Sequence, residues 1–328
     1  MPANRQGGES RYTNTSTAYL LNSSDRGLTT SSCVCAPAGG RWDHSIWPSR
    51  AATGVNRIGS THVRKPAARG ASYSSVVVIE IDDLLDTRLA DYRGLRERGK
   101  ESDEYFIVEG LTAIKRLLTS PYPVRSLLLT PATLAHLDID ATGLTIYVIT
   151  AETMSAVAGV NLHRGAVASA QRLPSPKLDT VLPGARRIVM LEGINDHENL
   201  GAITRTARGL GADALLLDPT CADPFYRRSV RVSMGELLHI PIVRCGSWPN
   251  AFEEVAAMGF EIWALTPSPR AIDIYRLTPP TRWALVVGAE GPGLSAATLA
   301  HCINVRIPMR NGVDSLNVGH AVAAALAR

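Results

Sequence analysis

From residue 187 onward the chain alternates at short, regular intervals between apolar runs too short for helices and stretches with helical spacing. The runs lie near 187–192, 213–218, 241–244, 260–265, 283–287 and 303–308. Strands that are apolar at nearly every position are buried on both faces, and strands separated by single helices run parallel, so this half predicts a parallel sheet covered on both sides. Such sheets keep their ligands beyond the carboxyl ends of their strands. Three of these strand endings are rich in polar side chains.

In the first, the apolar residues 188–191 lead into a polar loop, and a helix opens near Asn199, read here as its N-cap. Ile203, Ala207 and Leu210 recur at helical spacing, so the helix buries one face and stops at Gly209 and Gly211. In the second, residues 283–287 open into Gly288, Glu290, Gly291, Pro292 and Gly293. In the third, the strand ending at 305–309 runs into a polar loop, then Ser315-Leu316-Asn317, then a small-residue helix over 318–327 with no charge before Arg328. From pattern alone the sheet reads as Rossmann-like. The glycine spacing of the second ending is G-x-x-G-x-G on the fifth strand, however, and the dinucleotide fingerprint is G-x-G-x-x-G on the first.

Together these stretches resemble the three signature motifs of the SpoU (TrmH-type) RNA 2′-O-ribose methyltransferases of the SPOUT superfamily. Asn199, Gly201 and Arg205 match Asn-x-Gly-x-x-x-Arg; Gly288, Glu290, Gly291, Gly293 and Leu294 match Gly-x-Glu-Gly-x-Gly-Leu; Ile307, Pro308, Met309 and Ser315 to Val318 match Ile-Pro-Met and Ser-Leu-Asn-Val. The resemblance implies a carboxyl-terminal parallel-sheet domain at 185–328 tied in a trefoil knot, a topology that no periodicity argument proposes. It implies S-adenosylmethionine as methyl donor, held largely by backbone at Gly288, Ile307, Leu316 and Asn317, with Leu265 at the end of its strand as a further contact. Glycines there let backbone come close to a ligand. It implies RNA as substrate, ribosomal RNA ahead of transfer RNA, and a homodimer with the helices of the first and third motifs packed across the twofold.

Methylating a ribose oxygen needs a positioned 2′-hydroxyl and an acceptor for its proton. The catalytic candidates are Arg205, Asn199, Glu290, Ser315 and Asn317. A guanidinium is a poor base, so Arg205 is expected to bind a phosphate or polarise the hydroxyl, and Glu290 is the better acceptor unless it serves to tie Arg205 or Asn199 in place. Singly, each has a plainer reading as a cap, a solvated Arg or a loop charge. Tyr226-Arg227-Arg228 with Arg231 offers a phosphate clamp, although 225–240 also reads as one helix with Val230, Met234, Leu237 and Leu238 inward. A rival reading keeps the fold as an RNA-binding module without catalysis.

Ahead of this domain, residues 173–184 hold three prolines and form the expected linker. Before that, apolar runs at 106–108, 124–130, 144–150 and 165–170 alternate with helical stretches at 111–120, 132–137 and 151–158, and 82–99 reads as a charged helix or loop. This is a small α/β domain over 76–172, resembling the substrate-binding domain in front of many such enzymes; His163 in its ending His163-Arg164-Gly165 is an RNA-contact candidate beside the plainer loop reading.

Residues 1–75 have no sustained apolar period, and their composition predicts a disordered basic tail or a gene-model extension. They hold nine Lys/Arg against three Asp/Glu, a net +6, while the whole chain is +4, so the remainder, 25 against 27, is −2. RNA binding must therefore come from a local patch. Cys33-Val34-Cys35 has no second Cys/His pair at zinc spacing, and no metal site is expected. Five scattered cysteines read as the reduced thiols of a cytoplasmic protein, and no apolar run reaches the roughly 18 residues of a membrane span.

Overall fold

The computed structural model describes residues 76–95, 103–162 and 165–328 of the chain. The basic tail, the cations at 96–100, Cys33-Val34-Cys35 and His163 lie outside the described residues.

The first sheet is built from β1 (Val77–Glu80), β2 (Tyr105–Glu109), β3 (Val124–Leu129), β4 (Thr145–Val148) and β5 (Ala166–Gln171), in the order β1-β4-β3-β5-β2. β1, β4 and β3 are parallel, and β5 runs antiparallel to β3 and β2. Its helices are α1 (Leu111–Leu118), α2 (Pro131–Ala135) and α3 (Ala151–Ala158). Thr130 and Thr150 cap α2 and α3 through their side chains, and Gly159, at φ 65°, ends α3 in the left-handed conformation that a residue without Cβ adopts cheaply. Within 82–95 the chain forms a 3₁₀ helix, Thr87–Tyr92, rather than a charged α-helix.

Chain 173–184 departs from a plain linker. Leu178, Val181 and Leu182 stand at helical spacing, and α4 (Leu178–Val181) with a following 3₁₀ turn buries Val181 and Leu182 under the second sheet.

That sheet comprises β6 (Arg187–Glu192), β7 (Ala214–Leu217), β8 (Ile242–Arg244), β9 (Glu261–Leu265), β10 (Ile272–Asp273), β11 (Trp283–Gly288) and β12 (Ile303–Arg306), parallel throughout in the order β10-β12-β9-β11-β6-β7-β8. α5 (His197–Gly209), α6 (Arg227–Val232), α7 (Trp248–Ala257), α8 (Ala296–Ala300) and α9 (Val318–Leu326) complete it. Alternate strand residues face opposite ways. Val189, Leu191, Leu285 and Val287 therefore meet α5 and α9 through Leu200, Ile203, Val322 and Leu326, while Ile188, Met190, Ala284 and Val286 meet α7 through Phe252 and Val255. Every expected strand is present, and two-residue β10 is an addition.

The two sheets share a core. Phe106, Tyr122 and Phe225 form a ring triangle with centroids 5.0–5.3 Å apart. Arg172 grips Asp223 with two 2.7 Å bonds, and Arg227 reaches Glu109 at 2.7 Å. A continuous helix over 225–240 does not form. α6 stops at Val232, Met234 and Gly235 take φ 54° and 81°, and a 3₁₀ turn follows at Glu236–His239. The break lets Gly235 lie on α1, where an added Cβ would stand 3.1 Å from the Cα of Ala113.

Candidate active site

In the sheet order β12-β9-β11-β6, four carboxyl strand ends stand side by side. They present Ile307, Leu265, Gly288 and the loop to α5, so residues far apart in sequence share one edge.

The cap of α5 is Asp196, whose carboxylate accepts the Asn199 N–H at 2.7 Å. Asn199 is thus the third helical residue and not the N-cap. An aspartate three positions earlier takes the capping role and also complements the positive helix end. This frees the Asn199 side chain for a different bond. The cap of α9 is Asn317, whose Oδ1 accepts the Gly319 N–H at 3.0 Å. Its Nδ2 donates to Asn199 Oδ1 at 2.8 Å and to Glu290 Oε1 at 2.6 Å. One amide thus ties together all three polar strand endings.

Glu290 rides on the loop after β11, whose glycines are required by the loop itself. A Cβ on Gly288 would stand 2.4 Å from the Gly293 carbonyl group and 2.7 Å from Leu294 N, all backbone atoms. Gly291 and Gly293 take φ 90° and 70°, a region costly for residues with a Cβ. At Gly288 the absent Cβ is required by the loop's own close packing. Ser295 caps α8, and its N–H donates to Glu192 Oε1 at 3.3 Å, while Glu192 Oε2 is buried with no partner.

The loop after β12 is open. Asn311 and Gly312 take φ 59° and 74°, and Val313, Ser315 and Leu316 are exposed. Ser315 Oγ donates to Asp314 at 3.4 Å, so Ser315 is not brought to the Asn317 cluster. Among the described residues, the backbone bond made by an amide of 307–316 is that of Val313 N–H to Arg310 O. Ile307 and Leu316 border this open loop, with half-buried Leu265 and Gly288 on the adjoining strands.

Arg205 stands apart. Six residues beyond Asn199, it is about 9 Å further along the helix and turned away from it. It is exposed, and it lines a groove of about 500 Å³ with Ala202, Thr206, Gly209, Leu210 and Val232. Gly201 lies one turn earlier on the same side of α5, where a Cβ would meet Ser229 O at 2.7 Å, so this motif glycine lets α5 and α6 touch.

Of the clamp candidates, Arg227 is engaged by Glu109, and Arg231 lies 3.8 Å from the same carboxylate. Arg228 is half-exposed, 3.6 Å from Glu198. The ring of Tyr226 stacks on His197, with centroids 4.1 Å apart. Burial first, opposed by Asp196 and Asp223, lowers the His197 pKa from its ordinary value. Burial also pushes the Cys302 thiol, near Glu192, up to about 12, which removes it as a nucleophile at neutral pH. Sequence reasoning missed Asp196, Glu192 and His197; of these only the Asp-x-x-Asn spacing carried a readable signal.

The SpoU rRNA Methylase family model matches residues 186–327. An uncharacterized tRNA/rRNA methyltransferase of Mycobacterium tuberculosis is 42% identical over 261 residues, 76% of this chain and 90% of the relative. The 23S rRNA (guanosine(2553)-2′-O)-methyltransferase of Bacillus subtilis is 30% identical over 251 residues, 75% of this chain and 96% of that one. Two crystal structures of an rRNA methyltransferase from Sinorhizobium meliloti, one of them with AdoMet bound, superpose with TM-scores of 0.65 and 0.62 at 24% and 25% identity, each covering 76% of this chain and 96% of its own.

Proposed function

The chain belongs to the SpoU rRNA methylase family, and from that premise we propose that it is an S-adenosylmethionine-dependent methyltransferase that modifies a ribose 2′-hydroxyl in RNA. The observation that carries the reading is the Asn317 amide, which joins Asn199 and Glu290 at the carboxyl edge of the sheet.

S-adenosylmethionine, when bound, supplies an electrophilic methyl group; Gly288, Leu265, Ile307, Leu316 and Asn317 would hold it, mostly through main-chain atoms. Glu290 is the proton acceptor. Asn317 occupies its Oε1, which fixes the carboxylate and leaves Oε2 to take the hydroxyl proton. Asn199 holds Asn317 in turn, and Ser315 orients the ribose from the exposed loop. Arg205 contributes a phosphate contact or polarises the hydroxyl, since its guanidinium keeps its proton.

The working unit is a homodimer. Arg205 lines an exposed groove on α5 with Ala202, Thr206, Gly209 and Val232 of α6, and from there it would act across the twofold. The chain from β9 through β12 to α9 forms a trefoil knot, a reading supported by β12 lying outside β9 while α9 returns to pack on α5. Residues 76–172 are the RNA-binding domain, and Arg228, Arg231 and His163 contact RNA, with Arg227 chiefly holding the two sheets together. Ribosomal RNA is the favoured substrate, as in the name of the Bacillus relative, and the enzyme works in the cytoplasm. Among the described residues, no helix is long and apolar enough to cross a membrane.

The test is transfer of labelled methyl from S-adenosylmethionine to unmodified 23S rRNA and to tRNA in separate reactions, with mass spectrometry of the nucleosides. A 2′-O-methylnucleoside from rRNA, lost with Glu290→Gln, is expected. Methyl on a base would refute the ribose assignment, methyl on tRNA alone would move the substrate, and RNA binding without transfer would reduce the protein to a binding module.

A further inference from the structure

The first turn of α5 and the start of α6 carry two rings that the folding of the chain does not explain. His197 and Tyr226 stack at 4.1 Å with their planes 45° apart, and both are half-buried. Tyr226 joins none of the buried apolar clusters, and among the described residues its hydroxyl has no hydrogen-bond partner. Aromatic rings this size are ordinarily sunk in a core or committed through their polar end. This pair is held near the surface, His197 in the first turn of the helix that carries Asn199 and Tyr226 at the cap of α6.

We propose that His197 and Tyr226 form a stacking platform for an unpaired nucleobase next to the ribose that is methylated. Three features converge on it. Asn199 follows His197 by two residues, about 3 Å along the helix axis and on the other side of the same first turn, so platform and reaction cluster flank one helix end. Arg228, two residues after Tyr226, is half-exposed and only loosely held by Glu198 at 3.6 Å, leaving a cation for the adjoining phosphate. Sequence-reading proteins capture splayed-out RNA bases on aromatic faces, and a neighbouring cation holds the backbone. The depressed His197 pKa, from burial ahead of the opposing Asp196 and Asp223, keeps the ring neutral near pH 7 and free of a solvation shell that would compete with stacking.

The platform deepens the RNA methyltransferase reading and rests on it, so the test uses two readouts. Binding is followed with a single-stranded RNA oligonucleotide carrying 2-aminopurine, whose fluorescence falls when the base stacks. Methyl transfer is followed on a 23S rRNA transcript. Stacking on one ring changes affinity by about fivefold to 150-fold. Tyr226→Ala and His197→Ala are expected to abolish the quenching and raise KM for RNA about tenfold or more, with S-adenosylmethionine affinity and melting temperature unchanged. Tyr226→Phe, which keeps the ring, is expected to behave as wild type. Unchanged quenching and RNA KM in the alanine variants would overturn the platform, as would a Phe variant as impaired as Ala. If wild type quenches in a Tyr226-dependent way yet transfers no methyl, the platform stands and the assigned reaction fails.

Discussion

Replacing Asn317 by aspartate separates two jobs that one side chain performs. Its Oδ1 caps α9, and aspartate caps as well as asparagine, so the helix keeps its start. Its Nδ2 donates to Asn199 at 2.8 Å and Glu290 at 2.6 Å, and a carboxylate at that position can do neither. A bond to a charged acceptor is worth about 1.5–3 kcal/mol and one to a neutral acceptor about 0.5–1.5. These groups are near the surface, which brings the joint loss down to about 1–2 kcal/mol. Facing a second carboxylate across a few ångströms costs about 1 kcal/mol more in a watery setting. Expressed in the transition state, the total of about 2–3 kcal/mol corresponds to roughly 30-fold to 150-fold in kcat/KM for methyl transfer, and because the same bonds are present in the folded protein, melting should fall by several degrees as well. Asn317→Ala loses the cap as well, about 1 kcal/mol, but escapes the repulsion, and is expected to melt about as low as the aspartate variant near pH 8, with no rise in activity relative to wild type toward low pH. There is also a pH signature. Two carboxylates crowded together take up a shared proton at higher pH than either alone, and the introduced carboxyl, once protonated, donates again. The activity of Asn317→Asp relative to wild type should therefore rise as pH falls from about 8 to about 6. An aspartate variant as active as wild type, or one whose activity relative to wild type does not rise as pH falls, would refute the division of labour.

Gly288→Ala drives a Cβ to 2.4 Å from backbone, so the loop after β11 must shift; calorimetry should find S-adenosylmethionine binding at least tenfold weaker, with a lower melting temperature. Arg227→Ala leaves Glu109, whose side chain is 9% exposed, with the more distant Arg231 as its cation among the described residues, and should cost about 1–3 kcal/mol by urea unfolding, whereas Arg228→Ala should leave stability within about 0.5 kcal/mol. Cys221 and Cys245 have thiols pushed up to about 12, chiefly by burial. A raised pKa lowers the thiolate fraction at every pH below it, so at pH 8 iodoacetamide should label both far more slowly in native protein than in urea, by mass spectrometry.

How much of this was legible in the sequence follows from which interactions are local. The strands of the second sheet were readable because burial on both faces makes them apolar without interruption, as at 283–287. β10 was not, since Ile272-Asp273 has no run to see. The break at Met234-Gly235 was hidden because Val230, Met234, Leu237 and Leu238 keep helical spacing through it, and the reason for the break, Ala113 of α1, lies far away in the chain. The three motifs identified Asn199, Glu290 and Asn317, but not that one amide bridges the other two. The same motifs singled out Arg205, one and a half turns beyond Asn199, and within the chain it lines a separate groove on α5. Arg227 looked like a free cation because Glu109 is 118 residues away.

The triangle of Phe106, Tyr122 and Phe225, with the Arg172 to Asp223 grip, gives the protein a fixed gauge. Two modules on a slack tether can each find their piece of RNA independently, and a target with altered spacing is forgiven. Modules fused through a common interior cannot adjust in this way. If residues 76–172 hold RNA as proposed, they offer the second sheet only the nucleotide lying at one set distance, so inserting or deleting a nucleotide between grip and target should shift the methylated position by one rather than slow the reaction.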